Sequence, residues 1–248
     1  MANNNNITLS VKRSTFRIDD PHTEIADNAF TQARAAVLRR DRNTCRFCGF
    51  KATKFQEVHH IDDDHSNNDP KNLITVCALC HACHHISFAG AHNQGLIIHI
   101  PPKANIDQAT LNATARALWL AEHSKDTNLR AIAESFSARL YKCIIPAKKL
   151  IGTSSAEVLG NYLSKLSDDE YSRRSNVFHE YGIYLLPKKE GFEKQFNHWA
   201  SEAKKFPSEK WVKETERMLS QWADNEFDTD QIDNTIASYI KTKDKDTQ

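Results

Sequence analysis

The sequence predicts an α+β fold: a small cysteine-rich module with short strands, preceded by N-terminal strands and followed by a mostly α-helical half. Three observations carry this. Two Cys-x-x-Cys pairs, Cys45/Cys48 and Cys77/Cys80, stand with 28 residues between them. Short apolar or alternating segments flank them, at Ile7–Val11, Phe55–Ile61 and Leu96–Ile100. From Ile106 onward, apolar residues recur at three- and four-residue steps, the period of an amphipathic helix. The expected organisation is an N-terminal strand segment (1–22), a cysteine-histidine module (23–105), a helical domain (106–225) and a C-terminal extension (226–248).

Taken in order, the chain opens on a polar Asn run expected to be disordered. Ile7, Leu9 and Val11 alternate, as do Phe16 and Ile18, the pattern of one or two short strands. Thr23 to Arg40 reads as a helix with Ile25, Phe30, Ala33 and Val37 along one face. Phe55 to Ile61 reads as a hairpin strand, and Asn67-Asn68-Asp69-Pro70 as a loop. Leu73, Ile74 and Val76 are expected to pack on the preceding helix, and Cys80 to Ser87 to begin a further helix. Leu96 to Ile100, ended by Pro101-Pro102, is expected to join a small mixed sheet. Helices follow over Asp107–His123 (Leu111, Ala115, Leu118, Trp119) and around Leu129–Leu140. Another is capped by Thr153-Ser154-Ser155, and a short one lies near Asp168–Arg174. One carries Phe192, Phe196 and Trp199. The last clear one, from Pro207, carries Trp211, Met218 and Trp222. Ile232, Ile236 and Ile240 suit a short helix before a Lys-rich tail.

The cysteines and histidines carry the chemistry. Five of the six cysteines and six of the twelve histidines fall between Asp41 and His85. Two Cys-x-x-Cys turns can present four sulfurs to one tetrahedral zinc; buried free cysteines are the alternative. Cys83, three residues after Cys80, competes as a fourth ligand. His59 and His60 are adjacent on a strand, so their side chains point to opposite faces. One would bind metal, and the other could serve as general base. His81 and His85 fall one turn apart if the chain after Cys77 is helical. Asp62–Asp64 reads as a solvated turn, with an oxygen ligand to a hard metal as the alternative. His92 and His99 read as ordinary loop and strand residues, and Cys143 as a buried structural thiol. Arg34, Arg39, Arg40, Arg42, Arg46, Lys51 and Lys54 form a local basic cluster, either a solvated face or a contact for phosphate or an acidic partner.

Composition excludes several classes. Net charge is +1, from 33 basic and 32 acidic residues, so the whole chain is no electrostatic glove for nucleic acid. The cysteine spacing suits a reducing compartment rather than a disulfide framework. No apolar signal region and no run long enough to span a bilayer is found, so a cytoplasmic protein is expected. A phosphate-cradling Gly-rich loop and a nucleophile elbow are missing too, which sets aside nucleotide hydrolysis and serine-type catalysis.

The order C-x2-C, His59-His60, Asn72, then C-x2-C-H-x3-H resembles the HNH nuclease motif, a ββα-metal unit. The resemblance implies His60 as general base and His59, His81 and His85 as ligands of a catalytic divalent metal (Mg²⁺, Mn²⁺ or Zn²⁺). It implies Asn72 as the asparagine that braces the loop, and Cys45, Cys48, Cys77 and Cys80 as a structural Zn²⁺ site. At Asp62–Asn68 the sequence departs from that pattern, where HNH enzymes more often carry a Pro and a Gly pair. A longer resemblance rests on RRDRNTCRFCGF, SNN…NLITVCALCHAC and LLPKKEGFEKQFNHWA. These segments are similar, in the same order, to the DotN/IcmJ family of type IVB (Dot/Icm) secretion coupling complexes, from about Leu9 to Glu202. That resemblance implies an HNH-derived zinc scaffold that binds the coupling ATPase and other coupling-complex proteins, placing it at the inner-membrane secretion complex through those partners. In that family the catalytic histidines are replaced; here they are present.

Two functions follow. The favoured one is a zinc-binding adaptor of a coupling complex, because the longer resemblance reaches well past the metal motif. The alternative is a metal-dependent HNH DNA endonuclease that hydrolyses phosphodiesters with His60 as base and nucleic acid as partner.

Overall fold

The computed structural model describes residues 6–13, 23–64 and 67–203. The expected strand at Phe16 and Ile18, the helices from Pro207 and around Ile232–Ile240, and both expected disordered ends lie wholly or largely outside them. The fold is α+β, with ten helices, two antiparallel two-stranded sheets and short 3-10 turns among the described residues.

Helix α1 (Thr23–Arg40) leads into the first Cys-x-x-Cys turn. A hairpin follows: β1 (Gln56–His60) pairs with β2 (Leu73–Cys77), with His59 opposite Ile74 and His60 opposite Leu73. Val37 of α1 packs with Val58 and Leu73 of the hairpin, joined by Phe30, Ala33 and Leu38. Arg40 fastens this contact, donating to Pro70 O at 2.6 Å and Leu73 O at 2.8 Å, while Asp41 accepts Thr75 N at 3.0 Å. Arg34 likewise donates to Gln56 O. Two members of the basic cluster therefore hold the module together.

Helix α2 (Ala78–Ala82) starts directly from Cys77, and α3 (Ile86–Ala91) follows after a break. The expected single helix over Cys80–Ser87 is thus two helices. Ser10 is the physical reason. Its N–H donates to Cys83 O at 2.9 Å and its carbonyl accepts Ile86 N at 3.0 Å, so one distant residue satisfies the end of α2 and the start of α3. The described segment around Ser10 buries Ile7, Leu9 and Val11 but belongs to no strand. It is held instead by Tyr171, whose hydroxyl accepts Val11 N and donates to Val11 O, and by Arg174.

Strand β3 (Gly95–His99) does not join the hairpin in one mixed sheet. It pairs with β4 (Ile183–Pro187), far along the chain, with Ile97 opposite Leu185. The apolar run at Leu96–Ile100 identifies a strand but not its partner. Between them run α4 (Gln108–Ala121), α5 (Thr127–Lys142), α6 (Ile144–Ile151), α7 (Ala156–Leu163), α8 (Asp168–Ser172) and α9 (Arg174–Glu180). Asp107, Asp126 and Ser155 cap α4, α5 and α7, and Ser167 with Glu170 forms a capping box on α8. Helix α6 was not expected; Pro146 sits in its first turn, where a missing N–H costs nothing. Helix α10 (Glu193–Ala203) closes the described chain, with Phe196 and Trp199 buried. No helix among the described residues is long and apolar enough to cross a membrane.

Candidate metal centres

The first site is built from two turns. Cys45 N–H donates to Phe50 O at 2.8 Å and Gly49 N–H to Cys45 O at 3.0 Å, closing a tight knuckle in which Gly49 takes φ +68°. Arg46 N–H donates to Thr75 O, which sets this knuckle beside the end of β2, where Cys77 and Cys80 flank the strand-to-helix junction. The sulfurs of Cys45, Cys48, Cys77 and Cys80 all lie within 4.8 Å of one another. Sulfurs bound at about 2.3 Å to a tetrahedral zinc stand about 3.8 Å apart, and Cys48 Sγ and Cys77 Sγ are separated by 3.7 Å. The donor set therefore fits zinc in both chemistry and spacing. Contacts with the other three sulfurs, helped by the Arg116 charge, hold the Cys48 thiol well below its ordinary value, while Cys77 and Cys80 are pushed up. Cys83 stands outside the group. Its thiol donates to Leu79 O at 3.4 Å, and burial pushes it up to about 12.

The second group is His59, His81 and His85, whose ring nitrogens also lie within 4.8 Å of one another. His81 Nε2 and His85 Nε2 are 3.2 Å apart, close to the roughly 3.3 Å expected of two imidazoles at 2.0–2.1 Å from a tetrahedral metal. They meet across the break between α2 and α3, rather than along one helix. The Glu57 carboxylate, two residues before His59 on the same strand face, accepts from His81 Nδ1, leaving Nε2 to face the cluster. Burial, then the neighbouring His84, His81 and His85, hold His59 far below the usual histidine range, which keeps its imidazole neutral and able to ligate. His84 stacks on His59 at 4.0 Å. A cavity of about 390 Å³ adjoins His81 and His85, lined also by Glu57, Ser87, Phe88 and Phe192, with Lys12 its one lysine among the described residues.

His60 is turned the other way. It is 2% exposed, stacks on Phe30 at 5.3 Å and brings Nε2 within 3.2 Å of Asn68 Oδ1. Asn72 braces the β1–β2 connection: its Oδ1 accepts Asp62 N, and its Nδ2 donates to Asp62 Oδ1 and Asn67 O. The acidic run at Asp62 is a hydrogen-bonded turn. His92 stacks on Phe88, and His99 donates to Tyr181 O, both away from the two clusters. Cys143 is buried with its thiol on Arg139 O.

Sequence reasoning missed three residues at these sites. Glu57 was passed over because nothing local ties it to His81. Asn112 and Arg116 of α4 reach the sulfurs from a helix that reads as purely structural, and the interleaved Thr110 and Thr114 hide their spacing.

No protein-family model matches the chain. Among curated proteins, the type 4 apparatus protein DotN of Legionella pneumophila is 30% identical over 181 residues, covering 71% of this chain and 82% of the relative.

Proposed function

The chain belongs to the DotN family, and from that membership we propose that it is an adaptor of a type IVB (Dot/Icm-like) secretion coupling complex. On this reading it is a zinc-held, HNH-derived scaffold that binds the coupling ATPase and other proteins of the complex. The observation that carries the reading is the extent of the relationship: 181 residues, far beyond the cysteine-histidine stretch. Cys45, Cys48, Cys77 and Cys80 would hold the zinc, which supplies a fixed cross-link between the knuckle and the β2–α2 junction. The succession β1, β2, α2 is what suggests the HNH-derived ββα unit. Two features of the histidine region fit a binding role better than DNA cleavage. His60 is buried against Phe30 and Asn68 rather than open to a water it would deprotonate. Among the described residues, the lining of the cavity beside His81 and His85 is also poor in the cations that a phosphodiester backbone requires.

The three-histidine cluster, with Glu57 orienting His81, favours the nuclease as the second reading. A divalent metal held there would stabilise a leaving oxygen. His60 would then take the proton of the attacking water after turning from Asn68, and Asn72 would keep the connecting loop in shape.

Two assays on the purified chain separate the readings. Co-expression with the coupling ATPase of the same organism, followed by size-exclusion chromatography, is expected to give a co-eluting complex. Plasmid DNA incubated in Mg²⁺, Mn²⁺ or Zn²⁺ is expected to stay uncut. Cleavage that disappears in His60→Ala, with no complex formed, would overturn the adaptor in favour of the nuclease.

A further inference from the structure

Gln108, Asn112 and Arg116 recur every fourth residue along α4, and all three are buried. Gln108 is taken up by the second sheet. Its amide accepts Leu185 N at 2.9 Å and donates to Leu185 O at 2.8 Å and Asn112 Oδ1 at 2.9 Å. With its oxygen so occupied, Asn112 turns Nδ2 to the sulfurs, at 3.4 Å from Cys80 Sγ and 3.6 Å from Cys83 Sγ. Arg116 is 8% exposed and lies 3.8 Å over the Phe50 ring. Among the described residues its only hydrogen-bond acceptor is Cys48 Sγ, at 3.9 Å.

A guanidinium cannot shed its proton, and burying one without an anion is strongly unfavourable. No carboxylate answers Arg116 among the described residues. Four neutral thiols would leave it uncompensated, whereas four thiolates around a divalent cation carry a net charge of about −2. Phe50 adds an attractive ring face but no charge. We infer that Arg116 and Asn112 are positioning residues of the Cys45–Cys48–Cys77–Cys80 centre, Arg116 compensating its negative charge and Asn112 orienting Cys80. Helix α4 is therefore part of the metal site. The inference rests on the zinc reading given above.

The test uses the full chain purified with its metal. Zinc per chain in the wild type, measured by plasma mass spectrometry, tests the underlying reading by itself. Competition against a chromogenic chelator then compares Arg116→Met, Arg116→Lys and Asn112→Leu with a control, Leu118→Ala, which loosens the same helix without touching sulfur. Arg116→Met and Asn112→Leu are expected to weaken zinc retention about 10- to 100-fold, with partial recovery in Arg116→Lys. The sulfur-to-cobalt charge-transfer band of the Co²⁺-substituted protein is expected to shift in both and stay put in Leu118→Ala. Should Arg116→Met not fold, Asn112→Leu and Arg116→Lys decide by the same band. A wild type without zinc would sink the zinc reading. A wild type with zinc whose retention and spectrum are unchanged by the substitutions would overturn the inference alone, as would equal loss in Leu118→Ala.

Discussion

At Asp62 one carboxylate gathers three donors from the described part of the connection between β1 and β2. It accepts from Asn72 Nδ2, Asn67 Nδ2 and Asp64 N. The Asn72 hydrogen bond, ahead of that from Asn67, holds this carboxyl below its ordinary value of 3.8. Because the folded-state value is depressed, the stabilisation is fully present above about pH 4 and is lost as pH falls through the folded value. Substituting Asn72→Ala should bring the Asp62 carboxyl back up toward its ordinary value in an NMR titration. It should also speed amide exchange across residues 61–72. An unchanged titration would mean that Asn67 and the Asp64 N–H suffice to hold the carboxylate. The turn was legible in Asn67-Asn68-Asp69-Pro70, since these residues favour turns through their own side chains. The partner of Asp62 was not, because Asn72 acts across the loop from ten positions away.

Helices α3 and α7 cross with their backbones in contact, and two glycines permit it. A Cβ on Gly160 would lie 2.6 Å from Ser87 N, and one on Gly90 would lie 2.1 Å from Glu157 N. An exposed helical glycine replaced by alanine usually gains about 0.5–1 kcal/mol. Here the sign reverses: Gly160→Ala is expected to cost about 1–3 kcal/mol, as overpacking does, read as a lowered midpoint in urea denaturation. A neutral or stabilising result would show that α3 can move away freely. The periodic helices α4 and α5 and the cap of α7 were readable at this scale, because period and capping residues are local properties, whereas α6 was not. The break between α2 and α3 was not, since Cys80–Ser87 has no breaker of its own and the competing partner is Ser10. The pairing of β3 with β4 was equally hidden, because an apolar run states that a strand is buried and not which edge it meets.

For the molecule as a whole, the four-sulfur centre ties α1, the hairpin, α2 and α4 into one cooperative unit, on the zinc reading. Withdrawing metal from such a site removes folding free energy directly. An excess of chelator is therefore expected to lower the thermal midpoint and to make Cys45, Cys48, Cys77 and Cys80 react with a thiol reagent. Cys83 and Cys143, buried and each pushed up to about 12, should stay slow until global unfolding. All six thiols reacting together before chelation would argue against a metal centre. The Cys-x-x-Cys pairs announced this centre because each pair supplies two donors from one turn. The contributions of Glu57, Asn112 and Arg116 exist only once distant elements have packed. The bridge from Ser10 to Cys83 and Ile86 also sets a timetable for biogenesis. A ribosome adding about 5–20 residues per second releases Ser10 several seconds before its partners emerge. When residues 80–87 emerge, the residue that separates α2 from α3 is therefore already outside the ribosome. The meeting of His81 with His85 is thus prepared by a residue made well before either histidine.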